Sequence, residues 1–157
     1  MKQVVRVTMV VLVVAAIVLV VGGCNTANPE DKQTMAIAQQ FATAVFSTGD
    51  SAAAMALVVP LTGLGYVTKD AVDSTILNDK QKSCITPANS VEAGPPGSDL
   101  STPPVTAADT AKGITARVLW VVSYNYRCGN QGYDSNRTTQ VTLEKVNGTW
   151  GISKCTF

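Results

Sequence analysis

Between residues 114 and 126 every second side chain is apolar or aromatic: Ile114, Ala116, Val118, Trp120, Val122, Tyr124 and Tyr126. Thr115, Arg117, Ser123, Asn125 and Arg127 hold the other parity. A period of two over this length reads as one long, half-buried β-strand, whose backbone needs strand neighbours and whose apolar face needs a second layer. Leu119 and Val121 interrupt the polar side, so part of that face is expected to be covered too. The neighbours follow in sequence. After a polar loop over 129–136, Val141 and Leu143 alternate with Gln140, Thr142 and Glu144 in a second strand over 138–146. Asn147-Gly148, two residues that tolerate positive φ, predicts a tight hairpin into a last strand over 149–157. The chain therefore ends in a three-strand antiparallel meander.

The second layer is legible upstream. Asn28-Pro29-Glu30-Asp31 combines an N-cap, a proline at the first helical position and acids in the first turn. Ile37, Phe41, Ala44 and Val45, with Ala38 and Ala42 beside them, recur at helical spacing up to Gly49, which is placed to end the helix. Asp50 caps a second helix over 51–58, stopped by Pro60, and Thr68 opens a third to about Asn78 with Ala71, Ile76 and Leu77 inward. Residues 86–113 hold Pro87, Pro95, Pro96, Pro103 and Pro104 among several Gly and Ser, a loop composition with a short strand expected near Val91 or Val105. The fold class is α+β, with N-terminal helices packed on a bent antiparallel sheet.

The other end of the chain bears on location. Lys2 and Arg6 precede an apolar run over 7–21 broken only by Thr8, and the run closes with Gly22-Gly23-Cys24. About fifteen apolar residues fall short of the roughly twenty that span a hydrocarbon core. A cleaved export signal fits that length better than a permanent anchor, which is the alternative. Val21-Gly22-Gly23-Cys24 resembles the lipobox of bacterial lipoproteins. The resemblance implies a signal peptide over 1–23, a diacylglyceryl group on the Cys24 thiol, a short tether over 24–28 and one domain over 29–157 on the extracytoplasmic side of the cell membrane. Two acyl chains are what stable anchoring requires.

Two or three helices before a three-strand meander, with Thr48-Gly49-Asp50-Ser51 at a helix junction and Asn147-Gly148-Thr149-Trp150-Gly151-Ile152 at the end, resemble the NTF2-like superfamily, and more narrowly its small bacterial lipoproteins. That likeness covers roughly residues 29–157 and implies a bent sheet wrapped around helices. Some members are enzymes with acidic, histidine or tyrosine side chains inside the cone between the layers.

Composition narrows the function. The chain has no histidine, which excludes Ser-His and Cys-His catalysis and His-ligated zinc. Removing Lys2 and Arg6 from the 12 basic residues leaves 10 against 11 acids, a net charge near −1 that carries no nucleic-acid signature. The inward parity of the long strand offers Trp120, Tyr124 and Tyr126 as ligand contacts and no carboxylate, Glu144 falling on the outward parity. The competing reading is a filled core in which the tyrosine hydroxyls find partners within the protein. Asp70, Asp73 and Asp79 read as a solvated helix face rather than a metal site, since no calcium-loop motif accompanies them. No catalytic residue, metal or cofactor is expected.

Three cysteines remain beyond Cys24, and in an exported domain their scattered spacing favours a disulfide. The strands ending at Cys128 and Cys155 flank the same central strand, about 9 to 10 Å apart and beyond the roughly 7 Å Cα limit for a bridge. Side-chain parity also places Cys155 opposite to Trp150 and Ile152. Cys84 with Cys128 is the favoured pair, with the segment around Cys84 antiparallel along the free edge of the long strand. The leading reading is a non-catalytic, lipid-anchored domain that binds an envelope protein or a small apolar ligand. The alternatives are a prophage-type superinfection-exclusion lipoprotein and an NTF2-like enzyme.

Overall fold

A computed structural model describes residues 28–129 and 134–157, with helices leading into a curled antiparallel sheet. The expected signal peptide and Cys24 lie outside the described residues. Helix α1, Pro29–Ala42, starts as its sequence requires, with the Asn28 side chain accepting the Glu30 N–H at 3.2 Å. Thr34, Ala38, Phe41 and Ala42 form its buried stripe, while Ile37 sits half-buried on the shoulder. A π-helical segment, Thr43–Thr48, continues α1 and turns Ala44 and Val45 into the core. Gly49 ends it in the left-handed conformation at φ 62°.

Helix α2, Ser51–Met55, is capped by Asp50 as expected and stops three residues before the predicted 58. The cause is the sheet. Residues 57–59 leave the helix to cover the outer edge of the last strand, with Ile152 N–H donating to Leu57 O at 2.8 Å and Val59 N–H donating to Ile152 O at 2.9 Å. An open edge would leave those groups unpaired. Gly151 permits the approach, because a Cβ there would lie 2.9 Å from Leu57 O.

Helix α3, Lys69–Gln81, runs three residues beyond the predicted Asn78. Its inward residues are Val72 and Ile76, one turn apart; Ala71 is half-buried and Leu77 is 56% exposed, which corrects the assignment made from sequence. Strands β1 (Cys84–Ile85) and β2 (Glu92–Gly94) then pair antiparallel with the long strand β3, Ile114–Cys128. The proline-rich stretch thus holds its short strand just after Val91. It also carries a 3₁₀ turn, Ala88–Ser90, and helix α4, Ala107–Thr110, whose Thr106 and Asp109 form a capping box. Strand β4, Asp134–Val146, begins inside what the sequence suggested was loop, and β5, Thr149–Cys155, closes the meander. Asn147 and Gly148 take φ of 50° and 86°, the type I′ signature. The sheet order is β1-β3-β4-β5, with β2 also on β3.

The concave face carries the main core, including Phe41, Val45, Val72, Trp120, Val122, Val141, Leu143 and Ile152. Three register shifts interrupt the ladders among the described residues, and two of them change the side taken by a residue read from the sequence. A register shift at Thr115 places Ile114 opposite Val146, so Ile114 leaves the inward row and joins Val59 and Val146 in a second cluster on the convex face. A second shift at Ser153 returns Cys155 to the concave side, opposite Val141 and packed against the main core. The expectation that Cys155 faces away from Ile152 is corrected by that one extra residue.

The convex face is not solvated along its length. The strap from 98 to 106 crosses it, with Leu119 N–H donating to Thr102 Oγ1 at 3.1 Å and Arg117 Nη1 donating to Pro104 O at 3.0 Å. Leu119 is 5% exposed as a result, and Glu144 is fully buried. Arg117 donates from Nε to Glu144 Oε1 at 2.7 Å and reaches Asp109 Oδ2 at 3.1 Å. Desolvation opposes the guanidinium charge, and the hydrogen bonds and charges of Glu144 and Asp109 outweigh it, so the Arg117 pKa is raised. Glu144 takes the outward parity read from the sequence, on a face that the strap covers.

Candidate functional site

The concave face stays open near one end of the sheet. There α3, the π-helical segment and strands β3 and β4 enclose a groove of about 530 Å³, within the size range of small-molecule sites. Tyr124 and Tyr126 rise from β3 on the same side because they are two residues apart. The Phe46 ring stacks on Tyr124 with centroids 4.6 Å apart and an interplanar angle of 12°. Tyr126 meets Tyr124 edge-on at 6.3 Å, and the Arg137 guanidinium lies 4.0 Å over the Tyr126 ring. Phe157, at the end of the chain, and Lys82, just past α3, complete the rim.

One carboxylate converges on these rings. Tyr126 donates its hydroxyl proton to Asp79 Oδ1 at 2.9 Å, and the Tyr126 hydroxyl oxygen also lies 2.9 Å from Cys84 Sγ. The hydroxyl has a single proton, and the carboxylate is the stronger acceptor. Burial, and then the Asp79 hydrogen bond and charge, push the Tyr126 pKa up to about 12. Tyr126 is therefore a fixed donor at neutral pH rather than a base. Burial also raises the Tyr124 pKa, and among the described residues its hydroxyl has no hydrogen-bond partner. That leaves the Tyr124 hydroxyl, in the aromatic part of the groove, available to a ligand.

The residues singled out in the sequence separate here. Tyr124 and Tyr126 line the groove. Trp120 does not: it is 8% exposed in the core, and its Nε1 donates to Thr34 Oγ1 at 3.1 Å. The layer of α1 lies over that part of β3, so Trp120 is corrected from ligand contact to core residue. Cys84 and Cys128 face each other directly in the β1–β3 register at disulfide distance, with an S–S of 2.13 Å, and Cys128 borders the groove. Asp79 was missed. Its signal was its position seven residues after Val72 and three after Ile76, the inward stripe of α3. Grouping it with Asp70 and Asp73 hid that spacing, although Asp73 belongs elsewhere, paired with Lys69 and Ser51.

Tyr126→Phe removes the proton that Asp79 accepts and leaves a half-buried carboxylate short of a donor. Urea unfolding is expected to show a loss of about 1 to 3 kcal/mol, and a change under a few tenths would mean the contact carries no stability. The chain matches no family model, no curated protein and no solved structure.

Proposed function

We propose that the chain is a lipid-anchored, extracytoplasmic binding protein of NTF2-like architecture, which holds a small ligand in the groove between α3 and the sheet. The observation that carries this reading is the groove itself: stacked Phe46 and Tyr124, the Arg137–Tyr126 pair, and a Tyr124 hydroxyl without a partner among the described residues. A ligand with a flat or aliphatic body and one polar end fits that chemistry. Helices laid on a curled sheet that ends in a meander support the NTF2-like assignment. The cysteine pair at bonding distance supports an oxidising compartment, in keeping with the apolar run before Cys24.

Cys24 is the anchor in this reading. Mass spectrometry of the membrane-extracted chain is expected to find an N-terminus at Cys24 carrying the diacylglyceryl mass, with Cys24→Ser abolishing both cleavage and acylation. Unchanged processing of that variant would replace the lipoprotein with an uncleaved anchor. Native mass spectrometry of the same preparation is expected to show a small-molecule adduct that Tyr124→Arg removes.

The Asp79–Tyr126 contact favours a second reading, an NTF2-like enzyme, because it brings a carboxylate and a phenol together beside the groove. The absence of histidine and the raised Tyr126 pKa weigh against it. Turnover of any groove-bound compound that Asp79→Asn abolished would decide for the enzyme.

A further inference from the structure

Leu64 is the most exposed large apolar residue described, at 105%, and it sits between Gly63 at φ 123° and Gly65 at φ 87°. Both glycine conformations are closed to most side chains, so the loop is built to project this one leucine. Behind it lies Tyr66. Lys112 Nζ is 5.3 Å and Lys154 Nζ 5.6 Å from the Tyr66 ring centroid, and Lys112 Nζ also approaches the Tyr66 hydroxyl at 3.4 Å. Among the described residues neither lysine takes part in an ion pair, whereas the nearby Asp109 is committed to Arg117 and Thr106. An aliphatic tip, an aromatic ring with a hydroxyl, and two unneutralised ammonium groups match the layers of a bilayer surface: acyl boundary, headgroup belt and phosphate.

The position of the loop points the same way. Leu61, at its base, packs on the convex cluster of Val59, Ile114 and Val146. Glu30, at the start of α1, pairs with Lys145, the residue beside Val146. The loop base and the point where the chain enters α1 therefore share one end of the sheet, on opposite faces. Residues 24–28 extend at most about 18 Å. A lipid on Cys24 would hold that end close to the membrane.

We infer that the loop around Leu64 is a second membrane contact, with Leu64 entering an anionic bilayer surface while Tyr66, Lys112 and Lys154 engage its headgroups and phosphates. The inference extends the lipid-anchor reading, but its readout is separate from the modification of Cys24. The test uses the full-length chain carrying Leu64→Trp, mixed with vesicles of phosphatidylcholine and phosphatidylglycerol with brominated acyl chains. The unsubstituted chain supplies the background from Trp120 and Trp150. The expected result is a blue-shifted emission and at least a two-fold loss of the added fluorescence. Both should diminish when Lys112→Glu and Lys154→Glu are added or when phosphatidylglycerol is omitted. No quenching beyond background overturns the inference. Quenching indifferent to the lysines and to lipid charge overturns the anionic-surface assignment. A blue shift without vesicles, together with a dimer in sedimentation, gives the patch to a second copy of the chain and also overturns it. Mass analysis of Cys24 in the same sample reports the anchor separately, so an unmodified Cys24 with clear quenching would sink the anchor and leave the loop assignment standing.

Discussion

Arg117→Met is expected to destabilise the domain by about 3 to 5 kcal/mol, because it strands the fully buried Glu144 carboxylate beneath the strap. Glu144→Leu alone should cost a comparable amount, since it leaves the guanidinium, whose side chain is 8% exposed, facing only Asp109 and Pro104 O. The double variant is the informative one. Two well-packed apolar groups replace two desolvated charges, so Arg117→Met with Glu144→Leu should recover most of either single loss in urea unfolding. Additive losses would show that the pair is held by packing of the strap and not by charge. Asp109 adds a pH dependence of known sign. The Thr106 backbone N–H, then the Thr106 hydroxyl and Arg117, hold its carboxyl down to about 2 from an ordinary 3.8. A depressed folded pKa contributes stability that is complete above about pH 4 and lost as the pH falls through about 2. Asp109→Asn is expected to flatten that part of the acid-unfolding curve.

The same cluster marks the boundary of what the sequence discloses. Alternation along 114–126 identified β3 because each residue's side depends only on its neighbours, and Asn147-Gly148 identified the hairpin because its backbone demands are local. The cover over Arg117 and Glu144 depends on where the strap from 98 to 106 falls, a contact between distant segments that periodicity does not encode. Bulges are equally silent. Thr115 and Ser153 look like ordinary strand residues, yet each inserts one position and changes the side taken by Ile114 and Cys155. The groove was half legible for a related reason. Tyr124 and Tyr126 stand on the strand whose pattern is strongest, whereas Phe46, Asp79, Arg137 and Phe157 come from four other places in the chain. Only Asp79 left a signal, in helical register with Val72 and Ile76.

Loss of the Cys84–Cys128 bridge is expected to lower stability by roughly 4 kcal/mol, the loop-closure value for cysteines 44 residues apart. The pairing itself comes from register: Cys84 lies directly opposite Cys128, and Gly129 N–H donates to Ser83 O at 3.2 Å to continue the alignment. The Ser153 bulge puts Cys155 on the same side as Ile152, but Cys155 is occupied elsewhere. Its thiol lies 3.4 Å from the Thr139 hydroxyl, and burial, eased by that contact, pushes its pKa up to about 11. A protonated, enclosed thiol is a poor partner for exchange. β1 has only two residues paired to β3, so the bridge is what secures the sheet edge at 84–85, ahead of the separate β2–β3 pairing, and with it the sulfur beside Tyr126. Cys84→Ala with Cys128→Ala should therefore do more than shift the urea midpoint. Hydrogen exchange at 84–85 and 127–128 is expected to approach that of an open edge, while 141–146, paired on both sides, stays protected. Equal loosening of both regions would mean that the bridge supports the whole sheet. No change in either, or a mapped peptide joining Cys155 to Cys128, would remove the bridge from the account of the groove.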